Sequence, residues 1–367
     1  MKSHQQYYTA LAGLRGIGAI WVTSFHLFHQ SSNQIIKSGY LGVDLFFLLS
    51  GFIITHVHQG DFRTGYDVRT HVHFLKLRLA RIYPLHLVII LAFGFFVMLA
   101  PDFIARYPRP ERFGLNAFVA TLLLVHNWGF GPATLWNLPT WSLSAEWLAY
   151  LLFPFAAIGV SKIRPAYSLL AALCLLAVLE LIFLKFGHRE DGGKPGLLRL
   201  AFEFLAGCLV CQSVREGGRQ PRALCGIAIA LLLVAIFVPG MYFFASTSFA
   251  LLIVTVVSGP SRLSAALACA PMSRLGDLSF SLYLCHWPLI QIRNWAVEKD
   301  YLGADAGFAL LVMAIIASTW VCWTCVEKPG RDFARRHIAP PPEAQTALPA
   351  GPDAWAQEKL EAGPSTK

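Results

Sequence analysis

The chain has 367 residues, of which 56% are hydrophobic and 14% charged. A soluble domain carries about 25% charged residues, so a chain of this length has too little charge to coat the two soluble domains its size would suggest. Disordered and fibrous classes fit the composition equally poorly, which leaves an all-α polytopic membrane helix bundle. The 30 Lys and Arg against 21 Asp and Glu give +9. In a membrane protein this reads as basic residues gathered in cytoplasmic loops, not as a nucleic-acid footprint.

Residues 1–8 hold no separate apolar segment with a small-residue cleavage site, so the first apolar run is expected to remain as a span. Lipid-length apolar segments are predicted at 11–29, 39–56, 82–100, 116–130, 141–160, 166–185, 197–213, 223–238, 241–257, 278–296 and 306–326. Basic residues mark the inner side. Arg63, Arg69, Lys76, Arg78 and Arg81 place the loop 59–81 in the cytoplasm, and with it the N-terminus. Lys162/Arg164, Arg215/Arg219/Arg222, Arg262/Arg274 and Lys328/Arg331/Arg335/Arg336 also belong inside, with Pro239-Gly240 as an outer turn. Eleven crossings cannot leave both termini inside. The shortest segment, 116–130, runs into the Gly/Pro/Asn-rich stretch 129–139, so the expectation is ten spans plus one re-entrant or half-span segment. Irregular backbone at that depth needs protein or a cavity over it, and a cavity is expected there.

Residues 1–336 form the membrane part. The segment 337–367, with six prolines and four acidic residues against two lysines, is expected to be a disordered cytoplasmic tail. Without it the membrane body carries +11. The pairs Cys208/Cys211 and Cys322/Cys325 have CxxC spacing but lie in apolar runs, where Cys behaves as a small hydrophobe. No metal or redox role is expected of them.

Ionisable residues inside spans are costly and are functional-site hypotheses by default. Arg15 and His26 are 11 residues apart, about three turns, so they share one stripe of the first span roughly 16 Å apart along its axis. That is too far for direct contact on a straight helix. Asp44 begins the Phe-rich run GVDLFFLLSGF, as a helix-start acid or a hydrogen-bonding group. Arg78 and Arg81 share a helical face at the cytoplasmic boundary, where paired guanidiniums suit phosphate. In NLPTWSLSAEWLAY, Ser142, Glu146 and Tyr150 make one polar stripe, and an intramembrane Glu must be paired, protonated or beside water. In LGDLSFSLYLCHWP, Ser279, Tyr283 and His286 fall on one face, and Glu327-Lys-Pro329 closes the last span.

These pieces, in this order and spread from about residue 8 to residue 331, resemble the acyltransferase family 3 of integral membrane proteins. The resemblance implies transfer of an acyl group, often acetyl, from coenzyme A to sugars of polysaccharides, lipopolysaccharide or peptidoglycan, or to macrolides or Nod-type oligosaccharides. It implies that His26 is the catalytic histidine and Arg15 its motif partner, that Arg78 and Arg81 contact acyl-CoA, and that Glu146 is the acidic residue of the WSL motif. The sequence departs from the family at Trp147, where many relatives have a second acidic residue. Neither the additional span nor the extracytoplasmic esterase-like domain of some members is expected here, so any further transfer outside would need another protein, or there is no second step at all.

The expected chemistry is therefore O-acyl transfer from cytoplasmic acyl-CoA to a glycan or glycolipid hydroxyl in a bacterial inner membrane. Both termini are expected in the cytoplasm, and no metal is expected. His26 acts as general base or acyl carrier, with Glu146 or Asp44 orienting its ring. The rival reading is a transporter or exporter with an intramembrane proton path. It would carry inverted repeats with interrupted spans, and the sequence contains one irregular segment and no repeat.

Overall fold

The structure is a computed structural model of the chain that describes residues 2–129, 136–186, 194–215 and 223–338. Residues 339–367 of the expected tail, 130–135 of the irregular stretch, the loop residues 187–193, Arg219 and Arg222 lie outside the described residues. Among the described residues the secondary structure is helical, with no strand. Its longer helices are α1 (Lys2–Leu27), α2 (Gly42–His58), α3 (Val68–Leu99), α4 (Leu115–Leu122), α5 (Thr140–Ser161), α6 (Pro165–Phe186), α7 (Lys194–Ser213), α8 (Ala223–Phe237), α9 (Phe244–Val257), α10 (Ala270–Glu298), α11 (Ala304–Cys322) and α12 (Lys328–His337). A π-helical turn, Trp323–Glu327, joins the last two.

Ten of these helices have 14 residues or more, and each covers one of the ten segments expected to cross. Six helical stretches are long and apolar enough to span a bilayer by length and composition, and α8 and α9 are shorter apolar helices. The protein is an all-α polytopic membrane protein. Helices α1 and α10, with 26 and 29 residues, are long enough but more polar, because they carry Arg15, His26, Ser279 and His286 toward one another.

Helix α3 begins at Val68, not near Ile82 as the loop 59–81 implied. Asp67 caps it, its carboxylate accepting the Thr70 N–H at 2.7 Å, which satisfies one of the orphan donors of a helix start. At 32 residues the helix is about 48 Å long, well beyond a hydrocarbon core of about 30 Å. Arg78 and Arg81 therefore project from a rigid helix three turns from its start, not from a loop.

The half-span is the eight-residue α4. Its chain then turns through Leu124, at φ +58°, to Gly129, at φ +83°. Protein covers this irregular backbone where a cavity was expected. Ser144 of α5 donates to the Leu124 carbonyl (2.8 Å) and accepts the Asn127 N–H (3.1 Å), and its carbonyl takes the Trp128 indole N–H (2.9 Å). One buried serine thus answers three of the polar groups that lipid would leave unpaired.

Two helix pairs meet with backbones in contact. Gly16 of α1 faces Gly276 of α10, and Gly51 of α2 faces Phe204 beside Gly207 of α7; a β-carbon at any of these four glycines would overlap the facing backbone. Small residues are what permit such approach where no hydrophobic effect drives helices together.

Candidate active site

Pro288 lies inside α10, two residues after His286. A proline has no N–H to offer the carbonyl four residues back, and that freed carbonyl, on Leu284, accepts Asn137 Nδ2 at 3.0 Å. One residue earlier, the Tyr283 hydroxyl donates to the Pro139 carbonyl at 2.8 Å. The turn leading into α5 is thereby fastened to α10 at the level of His286.

His286 is fully buried, and its Nε2 lies 3.0 Å from Nδ1 of His26. Nδ1 of His286 lies 3.1 Å from the Leu282 carbonyl. A carbonyl only accepts, so the His286 proton sits on Nδ1 and its Nε2 is a bare lone pair. In the neutral pair His26 must then carry its own proton on Nδ1, which leaves Nε2 of His26 unprotonated. The indole of Trp287 packs edge-on against His26, with ring centroids 5.2 Å apart. Its Nε1–H is buried with no hydrogen-bond partner among the described residues.

Arg15 does not contact His26. Its Nε donates to Ser279 Oγ (2.9 Å) and its Nη2 to the Gly276 carbonyl (2.7 Å), three turns below. The charged groups acting on it are Arg81, Glu327, Arg331 and Asp277. Three guanidiniums thus stand near two carboxylates at the end of the bundle where α3 packs against α10 and α12. Glu327 is buried there, accepting from Ser281 Oγ (2.7 Å) with Arg331 at 3.8 Å. Arg78 stands beside this cluster on α3, donating to His58 Nε2 (3.2 Å), whose Nδ1 meets Asp61 (2.9 Å).

The α5 stripe joins the two ends. Ser142 Oγ and Tyr283 Oη are 2.7 Å apart. One turn on, Glu146 Oε1 accepts from Ser50 and from Tyr150 Oη, the latter at 2.6 Å. Arg78 and Arg81 in turn act electrostatically on Tyr150. A line of polar side chains therefore runs from the arginines through Tyr150, Glu146, Ser142 and Tyr283 to His286 and His26.

The geometry differs from expectation in one respect. The His26 ring is met by His286, and neither Asp44 nor Glu146 is the group that orients it. Asp44, in the first turn of α2, is ion-paired to Arg199 of α7; its Oδ1 accepts Arg199 Nε at 3.0 Å and Nη2 as well. Both are buried, at 0% and 1% exposure, and the Arg199 guanidinium also lies 5.6 Å from the Trp141 ring centroid. Sequence reasoning passed over Arg199 and Glu203, whose partner is Ser246 Oγ at 2.8 Å. The signal was present: two opposite charges four residues apart inside a predicted span. It also passed over Trp287 and Ser144, whose roles depend on neighbours distant in sequence.

A family model described as an acyltransferase domain, of the acyltransferase 3 type, matches residues 8–327. The chain is 30% identical to the acyltransferase MdmB of Streptomyces mycarofaciens, over 92% of this chain and 95% of that protein. It is 25% identical to the peptidoglycan O-acetyltransferase OatA of Listeria monocytogenes, over 80% of this chain and 51% of that protein. Identity to the O-acetyltransferase OatA of Staphylococcus aureus is also 25%, over 79% and 51%. The chain thus spans nearly all of MdmB and about half the length of the OatA proteins. No solved structure matches. With a family model over nearly all of the described helices, and a relative matched almost end to end, the chain belongs to the acyltransferase 3 family of integral membrane acyltransferases.

Proposed function

We propose that this protein is an O-acyltransferase of a bacterial inner membrane that moves an acyl group, acetyl in the simplest case, from cytoplasmic acyl-CoA to a hydroxyl of a glycan or glycolipid. The observation that carries this reading is the 3.0 Å contact of His26 Nδ1 with His286 Nε2, which leaves Nε2 of His26 as the free lone pair at the end of a polar line that begins at an arginine cluster. Acyl-CoA is a polyanion on a long thin arm. Arg15, Arg78, Arg81 and Arg331 supply charge-assisted hydrogen bonds for its phosphates, and the arm follows the α5 stripe inward. Both termini, and this arginine end, face the cytoplasm.

At the reacting end, Nε2 of His26 takes the proton of the acceptor hydroxyl as its oxygen adds to the thioester carbonyl. His286 holds the tautomer in which Nε2 is free, and it shares the positive charge that develops through the Nδ1–H contact. When the C–S bond breaks, the thiolate leaves as the free thiol with the proton that His26 took. The oxyanion needs a donor in a water-poor site, and the unpartnered Trp287 N–H is the group beside His26 able to provide one.

The reading is tested with purified full-length protein and acetyl-CoA. A double Arg78→Ala/Arg81→Ala variant is expected to weaken acetyl-CoA binding at least about tenfold, since a hydrogen bond to a charged group is worth roughly 1.5–3 kcal/mol. Titration calorimetry reads this directly, and unchanged affinity would remove the phosphate-clamp role. Trp287→Phe keeps an aromatic ring and deletes the N–H. It is expected to lower kcat by about 10²–10³, the cost of losing an oxyanion donor, with KM for acetyl-CoA unmoved. A variant within threefold of wild type would assign Trp287 to packing alone.

A further inference from the structure

At the end of α1 opposite Arg15, a cavity of about 640 Å³ opens between α1, α10 and α11. Its size falls in the usual range for small-molecule sites, about 300–1,000 Å³. His29 and Gln30 line it from the chain just beyond His26, and Ile290, Arg293 and Val297 line it from α10. His286, Ile290, Arg293 and Val297 are spaced i, i+4, i+7 and i+11, so they form one stripe of α10 running from the histidine pair into the cavity. Arg293 lies about 10 Å beyond His286 along the axis. The cavity lies on the far side of His26 from the arginine cluster.

Its charge is uneven. Arg106 is neutralised by Glu298 at 3.4 Å. Arg293 has neutral partners, Asn294 Oδ1 at 3.2 Å and the Ala304 carbonyl at 3.0 Å, and no carboxylate pairs with it among the described residues. Its Nε is buried without a hydrogen-bond partner. A half-buried guanidinium with donor capacity left over is a site for an anionic group. Phe28 and Phe308, 5.9 Å apart, add an apolar wall on which the C–H face of a sugar can rest.

We propose that this cavity is the acceptor subsite and that it takes a hydroxyl-bearing acceptor carrying a carboxylate or phosphate group, held by Arg293 while a hydroxyl reaches His26. The proposal rests on the acyltransferase reading of His26 given above and adds the acceptor's entry side and charge.

The test uses a strain lacking the protein, complemented with wild type, Arg293→Gln, Arg293→Lys or Gln30→Trp. The last fills the cavity without touching the guanidinium. Mass spectrometry of saccharide and lipid-linked fractions reads the acyl mass restored by each. Wild type is expected to restore an acyl group on an acidic molecule, with phosphatase treatment and carbodiimide derivatisation separating phosphate from carboxylate. Arg293→Gln and Gln30→Trp are each expected to lower the product at least tenfold at unchanged membrane level, with Arg293→Lys intermediate. A neutral product, or wild-type product from Arg293→Gln, would overturn the subsite. If Arg293→Gln fails to accumulate, wild-type product from Gln30→Trp overturns it instead. Absence of any acyl mass with wild type would overturn the acyltransferase reading itself, which separates the two failures.

Discussion

His26→Ala is expected to cut acyl transfer by about 10²–10⁴-fold, the range typical of a lost general base, while the variant still accumulates in the membrane and binds acetyl-CoA as wild type does. The separation follows from geometry. Arg15, the member of the arginine cluster on α1, lies about 16 Å from His26 along that helix, and it is bonded to Ser279 and Gly276 whether or not the imidazole is present. His286 refines the prediction. Gln at 286 can still accept the His26 Nδ1–H through its amide oxygen, whereas Phe cannot. With Phe the His26 Nδ1–H loses the His286 lone pair and keeps only the Val22 carbonyl, so the tautomer with the proton on Nε2, in which the base is lost, gains population. His286→Gln is therefore expected to retain activity within about tenfold and His286→Phe to lose of order 10². Free coenzyme A released by purified protein measures all three. A well-folded His26→Ala that transfers at the wild-type rate would remove the mechanism, and equal rates for the two 286 variants would remove the tautomer argument.

Much of the fold was legible because lipid imposes length and polarity rules that short sequence windows can express. Ten apolar segments, one short odd segment and a cluster of basic residues were enough to draw the bundle. The candidate site was legible in its members because each is an expensive residue in an apolar run: Arg15, His26, Asp44, Glu146 and His286 stand out by cost alone. The pairings were not legible. His26 meets His286 across 260 residues of sequence, and that contact depends on Gly16 and Gly276 letting α1 and α10 touch. Arg199 was lost among neighbours because the span around it, Leu-Leu-Arg-Leu-Ala-Phe-Glu, carries two charges that look like a helix end in one dimension. In three dimensions they point to different partners, Asp44 and Ser246. The start of α3 is hidden for a related reason: its basic residues read as loop in one dimension, while the Asp67 cap fixes a helix start upstream of them.

Breaking the Asp44–Arg199 pair from either side is expected to destabilise the protein by about 3–5 kcal/mol, the usual cost of removing one partner of a buried ion pair. Asp44→Asn leaves the guanidinium and Arg199→Met leaves the carboxylate. The double change Asp44→Leu/Arg199→Met leaves neither, and exchanges of a buried pair for apolar groups are often neutral or better. It should therefore recover most of the loss. Reversible unfolding in mixed micelles gives the comparison, and single variants as stable as wild type would contradict it. Relief by movement is closed off here. A long side chain near a helix end can ordinarily snorkel toward water, but Arg199 is 1% exposed and its helix is held to α2 by direct backbone contact at Gly51 and Gly207. Opening that contact to hydrate the charge would separate the helices that bury it. The effect should also reach the site. The Arg199 guanidinium lies on the Trp141 ring, the residue before Ser142, whose hydroxyl meets Tyr283 one turn from His286. Single variants that survive extraction are thus expected to transfer acyl groups more slowly than their membrane level accounts for, and the apolar double variant is expected to regain stability more fully than activity.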